Sequence, residues 1–573
     1  MRIFPFIVIT FGIVLSYSCA NIGSPTGGPR DTIPPILLKS TPQHKSINYQ
    51  DQEFRFLFDE RVNTDKLKQN LIITPLTENK FDVKFKKYEV ILKFEEPFDS
   101  ATTYTLNFGD GIVDVTEKNP VENFAIAFST GSIIDSISVS GLVKDLFTNE
   151  EKAKFLVALY PENDTVDILT GKPRYFTKTG EEGEFLIENI KNGKYRIYAY
   201  DDKNNNLVCD PADEAHGFLS DTINLNTNMS DLFIRTLLVN SAPLEFSRGK
   251  ITGTYYDLAY NKYIEDYTLE EFFNPNQLPL PKNSFYSENT NIRFYYDSAY
   301  RYEKDSIGII IRAQDSLQNS AVDTAFIRFR ESKRKPLGFE QKTEQISPNK
   351  IEDKLKFNLH FNKPIEYYTL DSMFIQYDTL YYKPIPDSLY YWNKRFTKLN
   401  FDIPLDPKFF KSYRDSLLTH YSDTTIKDSI YILQRQYLNK IDTARFKITI
   451  PQSSFISIEQ DSSKAINKSY SFLDPSNTGS ISGRITTDHT FYILQLTSPN
   501  FEPVKSIRNP TSFVFNNIPP GKYTFRILID TNSDGKWNTG NILRNEEPEP
   551  AYFYPEVFDV RANWQLENVD IQF

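Results

Sequence analysis

The stretch FLIENIKNGKYRIYAYDDKNNNLVCD, residues 185–210, decides how this chain is interpreted, because a close copy of it occurs later. The second copy, FVFNNIPPGKYTFRILIDTNSDGKWN, covers 513–538 and aligns at an offset of 328 residues without a gap. In both copies, large apolar residues alternate with polar ones on either side of a Gly-Lys-Tyr turn. Such alternation is typical of strands with one buried face. The repeat therefore predicts two copies of one β-hairpin, with Tyr195 and Tyr523 facing inward.

The repeat extends upstream of this hairpin. VSGLVKD and ISGRITTD pair at an offset of 342, so the two copies differ by 14 residues in one loop. Each copy has about 100 residues of alternating strands, a usual size for one domain. Together the copies resemble the prealbumin-like, carboxypeptidase-regulatory type of β-sandwich. We assign them to residues 135–242 and 478–573.

The composition agrees with an array of small β-domains. The chain has 573 residues, of which 14% are aromatic, with 45 Phe and 35 Tyr but only 3 Met. Aromatic and β-branched residues fit pleated surfaces better than helices. At roughly 100 to 200 residues per domain, the length allows three to five domains.

Residues 36–132 also alternate, as in EFRFLF and TYTLNF, with turn residues at strand-length spacing. The sequence SPTGGPRDTIPP, followed by FRFLFDERV, TTYTLNFGDGIVDVTEKNP and FAIAFSTG, resembles the bacterial Ig-like domain found at the N-terminus of many Bacteroidota lipoproteins. The resemblance covers about residues 31–132. It implies a fold and a cell-envelope location, and no particular chemistry.

A weaker internal similarity relates FRFLFDERV at 54–62 to FNLHFNKPI at 357–365. It predicts a second Ig-like sandwich over 337–475, with a Tyr-rich insertion and a helical piece around 406–440. Residues 243–335 contain further strand patterns, such as IGIIIRAQDSLQN, and are assigned to another β-sandwich. The predicted fold class is therefore all-β, with tandem Ig-like and prealbumin-like β-sandwiches and a small helical insertion.

The N-terminus has the pattern of a secretory signal. Arg2 is followed by an apolar run that is too short to span a bilayer, and Cys19 comes directly after the small residue Ser18. We expect residues 1–18 to be a signal peptide and Cys19 to carry a lipid, since the pattern resembles a bacterial lipobox. The alternative is a plain signal peptide with an incidental cysteine. Residues 19–35 are rich in Gly and Pro and are predicted to form the lipidated tether.

The C-terminal repeat ends in a loop with the spacing of a calcium site. Positions 1, 3, 5 and 9 of this loop are occupied by Asp530, Asn532, Asp534 and Asn538, with Gly535 at position 6. Calcium binds carboxylate, amide and carbonyl oxygens in such loops. Two carboxylates and no Glu at position 12 predict a weak structural site, with a dissociation constant on the order of 10⁻⁴ to 10⁻³ M.

The earlier copy offers a second candidate set of calcium ligands. The set consists of Asp202, Asn204, Asn206, Asp210 and Asp213. Leu207 occupies the position of the glycine, where a left-handed backbone would cost roughly 1 kcal/mol or more. For both loops, the alternative is a turn stabilised by Asp and Asn side chains without an ion. Cys209 is expected to be a small buried hydrophobe.

Several classes of function find no support in the sequence. The net charge of −10 argues against a nucleic-acid partner, which would require clustered Lys and Arg. The five histidines show no two-His helical zinc spacing, and no nucleophile elbow or phosphate-binding P-loop occurs. We therefore expect no enzymatic activity.

The Tyr-rich insertion offers the best candidate contact surface, with Tyr390, Tyr391 and Trp392 at its end. These rings would bind a protein or stack on sugars, or fill the core of their own hairpin. We expect a lipid-anchored scaffold or accessory subunit of an outer-membrane protein complex, since the resemblance to Bacteroidota lipoproteins implies assembly or nutrient-uptake machinery. The alternative is a surface carbohydrate-binding lipoprotein. Ala20 to Gly23 lack acidic residues that often accompany surface export, so the leaflet stays open, with the cell surface favoured.

Overall fold

The computed structural model describes residues 31–573 except 123, 303, 349, 372, 378–381, 422–427, 441 and 443. Strands make up 46% of the chain and helices 8%, so the predicted all-β fold with a small helical insertion is confirmed. The predicted signal peptide, Cys19 and the first part of the tether lie outside the described residues. In the described part of the chain, no helix is long and apolar enough to cross a membrane.

The chain forms two compact units. The first contains the described residues up to Lys144, with Glu151–Cys209 and Asp221–Ile234. The second contains Asp145–Glu150, Asp210–Ser220 and Arg235–Phe573. The sequence-based division into five domains stays an interpretation, and the sheets are described below in chain order.

The first sandwich pairs sheets of order β1-β2-β6-β5 and β4-β7-β9, with β3 beside β8. Its elements are β1 (Leu37–Thr41), β2 (Glu53–Phe58), β3 (Val62–Asn63), α1 (Leu67–Asn70), β4 (Ile72–Thr74), β5 (Phe81–Lys86), β6 (Glu89–Phe94), β7 (Thr103–Asn107), β8 (Val113–Asp114) and β9 (Ala125–Ser129). The alternating rings of Phe54, Phe56 and Phe58 are buried in the core between the sheets. The period-two pattern of this stretch thus defines its inner face.

The second sandwich contains sheets β13-β10-β17 and β12-β11-β14, and β16 pairs with β14. Its strands are β10 (Ile137–Asp145), β11 (Leu156–Pro161), β12 (Tyr175–Lys178), β13 (Glu184–Ile190), β14 (Gly193–Tyr200), β15 (His216–Phe218), β16 (Ile223–Leu225) and β17 (Met229–Thr236). Tyr195, Ile197 and Ala199 of β14 are buried, which confirms the inward face expected from the repeat.

The third sandwich pairs sheets β18-β19-β22-β21 and β20-β23-β24. Its strands are β18 (Phe246–Thr252), β19 (Tyr255–Tyr260), β20 (Asp266–Phe273), β21 (Asn283–Tyr286), β22 (Asn291–Tyr295), β23 (Ile307–Gln314) and β24 (Ser320–Ile327). The central strand β23 carries Ile307, Ile309 and Ile311 into the core, where all three are fully buried.

The fourth sandwich pairs sheets β25-β27-β32-β31 and β26-β35-β33-β29-β30, with a two-stranded ribbon β28-β34. Its elements are β25 (Gln341–Gln345), β26 (Lys350–Ile351), β27 (Lys354–Phe361), β28 (Ile365–Tyr368), β29 (Phe374–Gln376), β30 (Tyr382–Pro384), β31 (Tyr390–Trp392), β32 (Lys398–Pro404), α2 (Pro407–His420), α3 (Ser429–Lys440), β33 (Arg445–Ile450), β34 (Phe455–Ser457) and β35 (Ile466–Phe472). Helix α2 begins after Asp406, whose side chain accepts the backbone N–H of Lys408 and caps the helix.

The fifth sandwich contains sheets β39-β36-β43 and β38-β37-β40-β41, and β42 pairs with β40. Its strands are β36 (Gly479–Thr486), β37 (Tyr492–Thr497), β38 (Pro503–Arg508), β39 (Ser512–Ile518), β40 (Gly521–Ile529), β41 (Ala551–Phe553), β42 (Phe558–Val560) and β43 (Gln565–Gln572). The order β39-β36-β43 repeats β13-β10-β17, and β38-β37-β40 repeats β12-β11-β14. The sequence repeat is therefore a repeat of topology.

A glycine at the same place in each copy allows two strands to approach closely. A Cβ atom built on Gly483 of β36 would overlap the carbonyl oxygen of Val569 in β43 and lie 2.9 Å from Cζ of Phe513. A Cβ on the equivalent Gly141 would overlap the carbonyl oxygen of Leu232. The glycine shared by VSGLVKD and ISGRITTD is thus required by packing.

We expect Gly483→Ala to destabilise the fifth sandwich by about 3 kcal/mol, because the methyl group must displace backbone rather than a flexible side chain. Differential scanning calorimetry measures this as a lower unfolding temperature of one transition. Gly338→Ala is the matched control, since nothing lies within 4 Å of a Cβ at that position. Equal melting of the two variants would contradict the packing argument.

Candidate functional site

The C-terminal Asp/Asn loop connects β40 to β41 and closes around the side chain of Asp530. This carboxylate is 7% exposed and accepts the backbone N–H groups of Ser533 at 2.7 Å and Gly535 at 2.9 Å. Gly535 has φ +81°, the left-handed conformation that favours glycine. The loop therefore has the sharp turn at position 6 that the spacing predicts.

A second buried carboxylate, Glu549, completes the loop and was not identified from the sequence. Its Oε1 atom accepts the backbone N–H groups of Thr531 at 2.8 Å and Asn532 at 3.1 Å, and its Oε2 atom accepts that of Asn538 at 2.8 Å. Glu549 is 6% exposed. It holds the two halves of the loop together from a position eleven residues beyond Asn538, outside any calcium-loop spacing.

The remaining predicted ligands lie on the exposed side of the loop. The side-chain amide of Asn538 donates to Oδ2 of Asp534 at 3.0 Å, and the backbone N–H of Lys536 donates to Oδ1 at 2.7 Å. These two donors lower the pKa of the Asp534 carboxyl below its ordinary value. Oδ1 of Asn532 accepts the backbone N–H of Asp534 at 2.9 Å. Each predicted ligand thus already has a hydrogen-bond partner within the loop.

These contacts leave calcium as a prediction. Among the described residues, no three His, Cys, Asp or Glu side chains stand close enough together to hold a metal ion. The predicted ligands Asp530, Asn532, Asp534 and Asn538 include only two carboxylates, which fits the weak affinity expected from the sequence. An ion there would neutralise these charges and stabilise the loop.

The distal half of the loop joins the fifth sandwich to the third. Asn541, at position 12, donates its side-chain amide to Oδ1 of Asn319 at 2.8 Å, and Arg544 donates to the carbonyl oxygen of Leu317 at 3.0 Å. Asn541 is 2% exposed. A polar cavity of about 510 Å³ lies between this half of the loop and residues 316–318. Position 12, where calcium loops usually carry a bidentate Glu, here binds the neighbouring sandwich.

The earlier loop repeats the same turn at its start. Asp202 accepts the backbone N–H groups of Asn206 at 3.0 Å and Leu207 at 3.2 Å, and Leu207 has φ +63°. The backbone is therefore left-handed at position 6 even without glycine. Oδ1 of Asn204 also accepts the backbone N–H of Asn206, at 2.9 Å.

The end of the earlier candidate set belongs to the other compact unit. Asp202, Asn204 and Asn206 lie in the first unit, whereas Asp210 and Asp213 lie in the second. The backbone N–H of Asp210 donates to Oε2 of Glu214 at 2.8 Å, which repeats the bond between Asn538 and Glu549. Glu214 is 2% exposed and was also missed in the sequence. Calcium at this loop stays a prediction.

Cys209 is buried, with 3% of its surface exposed. Its backbone N–H donates to the carbonyl oxygen of Ile168 at 3.0 Å. The expectation of a small buried residue is confirmed.

The three aromatic residues proposed as a contact surface have different environments in β31. Trp392 is half-buried and packs on Phe361 and Phe455, with ring centroids 5.7 and 6.0 Å away. Tyr390 is half-buried and donates its hydroxyl to Asp387 at 2.6 Å; burial and this carboxylate raise the pKa of the phenol. Tyr391 is 65% exposed. The insertion thus fills part of its own core and leaves Tyr391 as its outward ring.

Comparison with known proteins supports the fold of the first sandwich. Residues 31–130 match the family model of the bacterial Ig-like domain. No curated protein sequence matches the chain.

Solved structures of low identity also align with the chain. The N-terminal part of the bacterial S-layer protein SbsC is 13% identical, with 30% of this chain and 42% of that chain covered and a TM-score of 0.14. The major pilin subunit BcpA of Bacillus cereus is 10% identical, with coverages of 76% and 99% and a TM-score of 0.12. The human desmocollin-1 ectodomain is 10% identical, with coverages of 53% and 59% and a TM-score of 0.14. This chain therefore spans less than half of the SbsC fragment.

We expect millimolar calcium to raise the unfolding temperature of the fifth sandwich and EDTA to lower it. With a dissociation constant of about 1 mM, roughly 10 mM calcium would add about 1.4 kcal/mol of stability. Calorimetry of the full chain measures the shift, and Asp534→Asn should abolish it because one of the two predicted carboxylate ligands is lost. Asp570→Asn, an exposed change in the same sandwich, is the control. An unfolding temperature that changes with neither calcium nor EDTA would contradict calcium binding by this loop.

Proposed function

We propose that this protein is a non-enzymatic, lipid-anchored scaffold or accessory subunit of an outer-membrane protein complex, in assembly or nutrient uptake. The observation that best supports this proposal is that loop and turn residues of the second compact unit form contacts between neighbouring sandwiches. In folds with active sites, such residues usually carry the functional groups. Here many of them join one sandwich to the next, as Asn541 and Arg544 do.

The contact between the third and fourth sandwiches follows the same principle. Arg395, in the turn between β31 and β32, lies over the rings of Tyr267 at 3.9 Å and Phe285 at 4.5 Å. Its Nη2 atom donates to Asp266 at 2.8 Å, and the Arg395 side chain is 15% exposed. A partly desolvated cation over aromatic faces stabilises such a contact by about 0.5–2 kcal/mol.

A second set of bonds links the same two sandwiches. The hydroxyl of Tyr255 donates to Glu459 at 2.8 Å, and Glu459 also pairs with the buried amine of Lys363 at 2.6 Å. The backbone N–H of Leu337, in the linker, donates to the same hydroxyl at 3.0 Å. These contacts hold the linker and both sandwiches in one arrangement, which suits a spacer or docking subunit.

The proposed location is the outer membrane, reached through a lipid on Cys19. The support is the sequence pattern of residues 1–19 and the match of residues 31–130 to a bacterial Ig-like domain. The cell surface is favoured over the periplasmic face. The alternative function, carbohydrate binding, is supported by Tyr391, whose ring is exposed in an insertion rich in aromatic residues.

We expect the full chain, purified from detergent-solubilised outer membranes of the bacterium that produces it, to retain one partner at constant stoichiometry through size-exclusion chromatography. Cys19→Ala should leave the protein out of the membrane fraction and reduce partner recovery. Absence of any stoichiometric partner would contradict the scaffold proposal.

The alternative function, carbohydrate binding, is tested by applying the same purified protein to a glycan array. Glycan binding that is lost in Tyr391→Ala but kept in Phe85→Ala, an exposed aromatic residue of the first sandwich, would replace the scaffold with a carbohydrate-binding protein.

A further inference from the structure

A concentrated group of exposed cations lies on the third sandwich and the linker that follows it. The segment RFRESKRK, residues 328–335, has five cations and one carboxylate, in a chain of net charge −10. All five are exposed, as are two cations on the edge strand β18. We call these seven residues the basic patch: Arg248, Lys250, Arg328, Arg330, Lys333, Arg334 and Lys335.

The linker that carries five of these cations lies against the hairpin of β18 and β19. Arg328 is close enough to lower the pKa of Tyr256 electrostatically, although burial raises that pKa overall. The Tyr256 hydroxyl lies against Gly249, between the two cations of β18. Gly253, at the tip of the hairpin, faces the side chain of Ser332 in the linker. The linker thus runs beside the hairpin, which brings its cations close to the edge strand that carries Arg248 and Lys250.

The charge of the basic patch is not neutralised within the described part of the chain. None of its side chains makes an ion pair there. The nearby Arg293 differs, because Asp257 binds its guanidinium with two bonds of 2.6 and 2.7 Å. Seven cations without carboxylate partners repel one another, which an anionic ligand would relieve.

A small cavity lies at the end of the basic patch. It measures about 170 Å³ and is lined by Thr252, Gly253, Thr254, Tyr255, Arg334 and Lys335, among others. This volume corresponds to roughly six water molecules, enough for a phosphate group. The cations and the threonine hydroxyls of this cavity can donate hydrogen bonds to phosphate oxygens, whereas the Tyr255 hydroxyl already donates to Glu459.

We propose that the basic patch and this cavity bind a phosphate group, carried by an anionic lipid headgroup or by a soluble phosphorylated molecule. Arg334 and Lys335 contact the phosphate in the cavity, and the other five cations attract further negative charge along the linker. The rest of the chain is acidic and repels such ligands, so binding is confined to this face. The proposal depends neither on the lipid anchor nor on the proposed scaffold function.

The test uses the full chain with Cys19→Ala, so that no acyl chain contributes to binding. The probes are vesicles of phosphatidylcholine mixed with phosphatidylglycerol, vesicles of phosphatidylcholine alone, and inositol hexakisphosphate. Arg334→Gln/Lys335→Gln removes two cations from the cavity. The matched control, Lys84→Gln/Lys86→Gln, removes two exposed, unpaired lysines from the first sandwich.

We expect the chain to bind a phosphate probe and the cavity variant to lose about 25-fold in affinity, since each cation near an anionic surface contributes about fivefold. The control variant should bind as the parent does. Binding to phosphatidylglycerol vesicles identifies a lipid headgroup as the source, and binding to inositol hexakisphosphate alone identifies a soluble one.

Three results would overturn the proposal: no binding to any phosphate probe, equal losses in both variants, or equally tight binding of polyglutamate. The last would mean that the basic patch recognises acidic protein rather than phosphate.

Discussion

The joint between the fifth and third sandwiches depends on one buried carboxylate, that of Glu549. A charge withdrawn from water is costly unless donors surround it. Glu549 is provided with donors by the backbone of Thr531, Asn532 and Asn538, which ties the start of the loop to its end. With the loop closed in this way, Asn541 is held where it reaches the turn of the third sandwich. A long polar loop thereby becomes a rigid connection.

A second position of the repeat also joins neighbouring sandwiches, once in each compact unit. Asn189 and Asn517 are equivalent in the repeat, and both have a left-handed backbone, with φ of +58° and +56°. The side-chain amide of Asn189 donates to Thr105 of the first sandwich at 2.9 Å, and that of Asn517 donates to Glu352 of the fourth at 3.2 Å. In each unit, the repeated sandwich thus binds the sandwich that precedes it in the chain.

Much of the fold could be predicted from the sequence, because period-two alternation reports which face of a strand is buried. Tyr195 and Tyr523 were placed inward on this basis, and both are buried. The local geometry of the loops was also predictable, since Asp530 and Gly535 are five residues apart and make the expected turn. The role of Glu549 could not be predicted, because this residue lies eleven residues beyond Asn538, outside the spacing of the loop motif. Nor does the sequence reveal that Trp392 packs inward while its neighbour Tyr391 faces out.

Hydrogen exchange of the full chain tests the central claim, that a closed loop holds two sandwiches together. In Glu549→Gln, the account predicts faster amide exchange both in peptides covering 530–549 and in peptides covering 315–319, by about tenfold for the loss of one charged hydrogen-bond acceptor. Glu567→Gln, an exposed change in the same sandwich, should leave both unchanged. Faster exchange in the loop alone, or in neither segment, would contradict the claim.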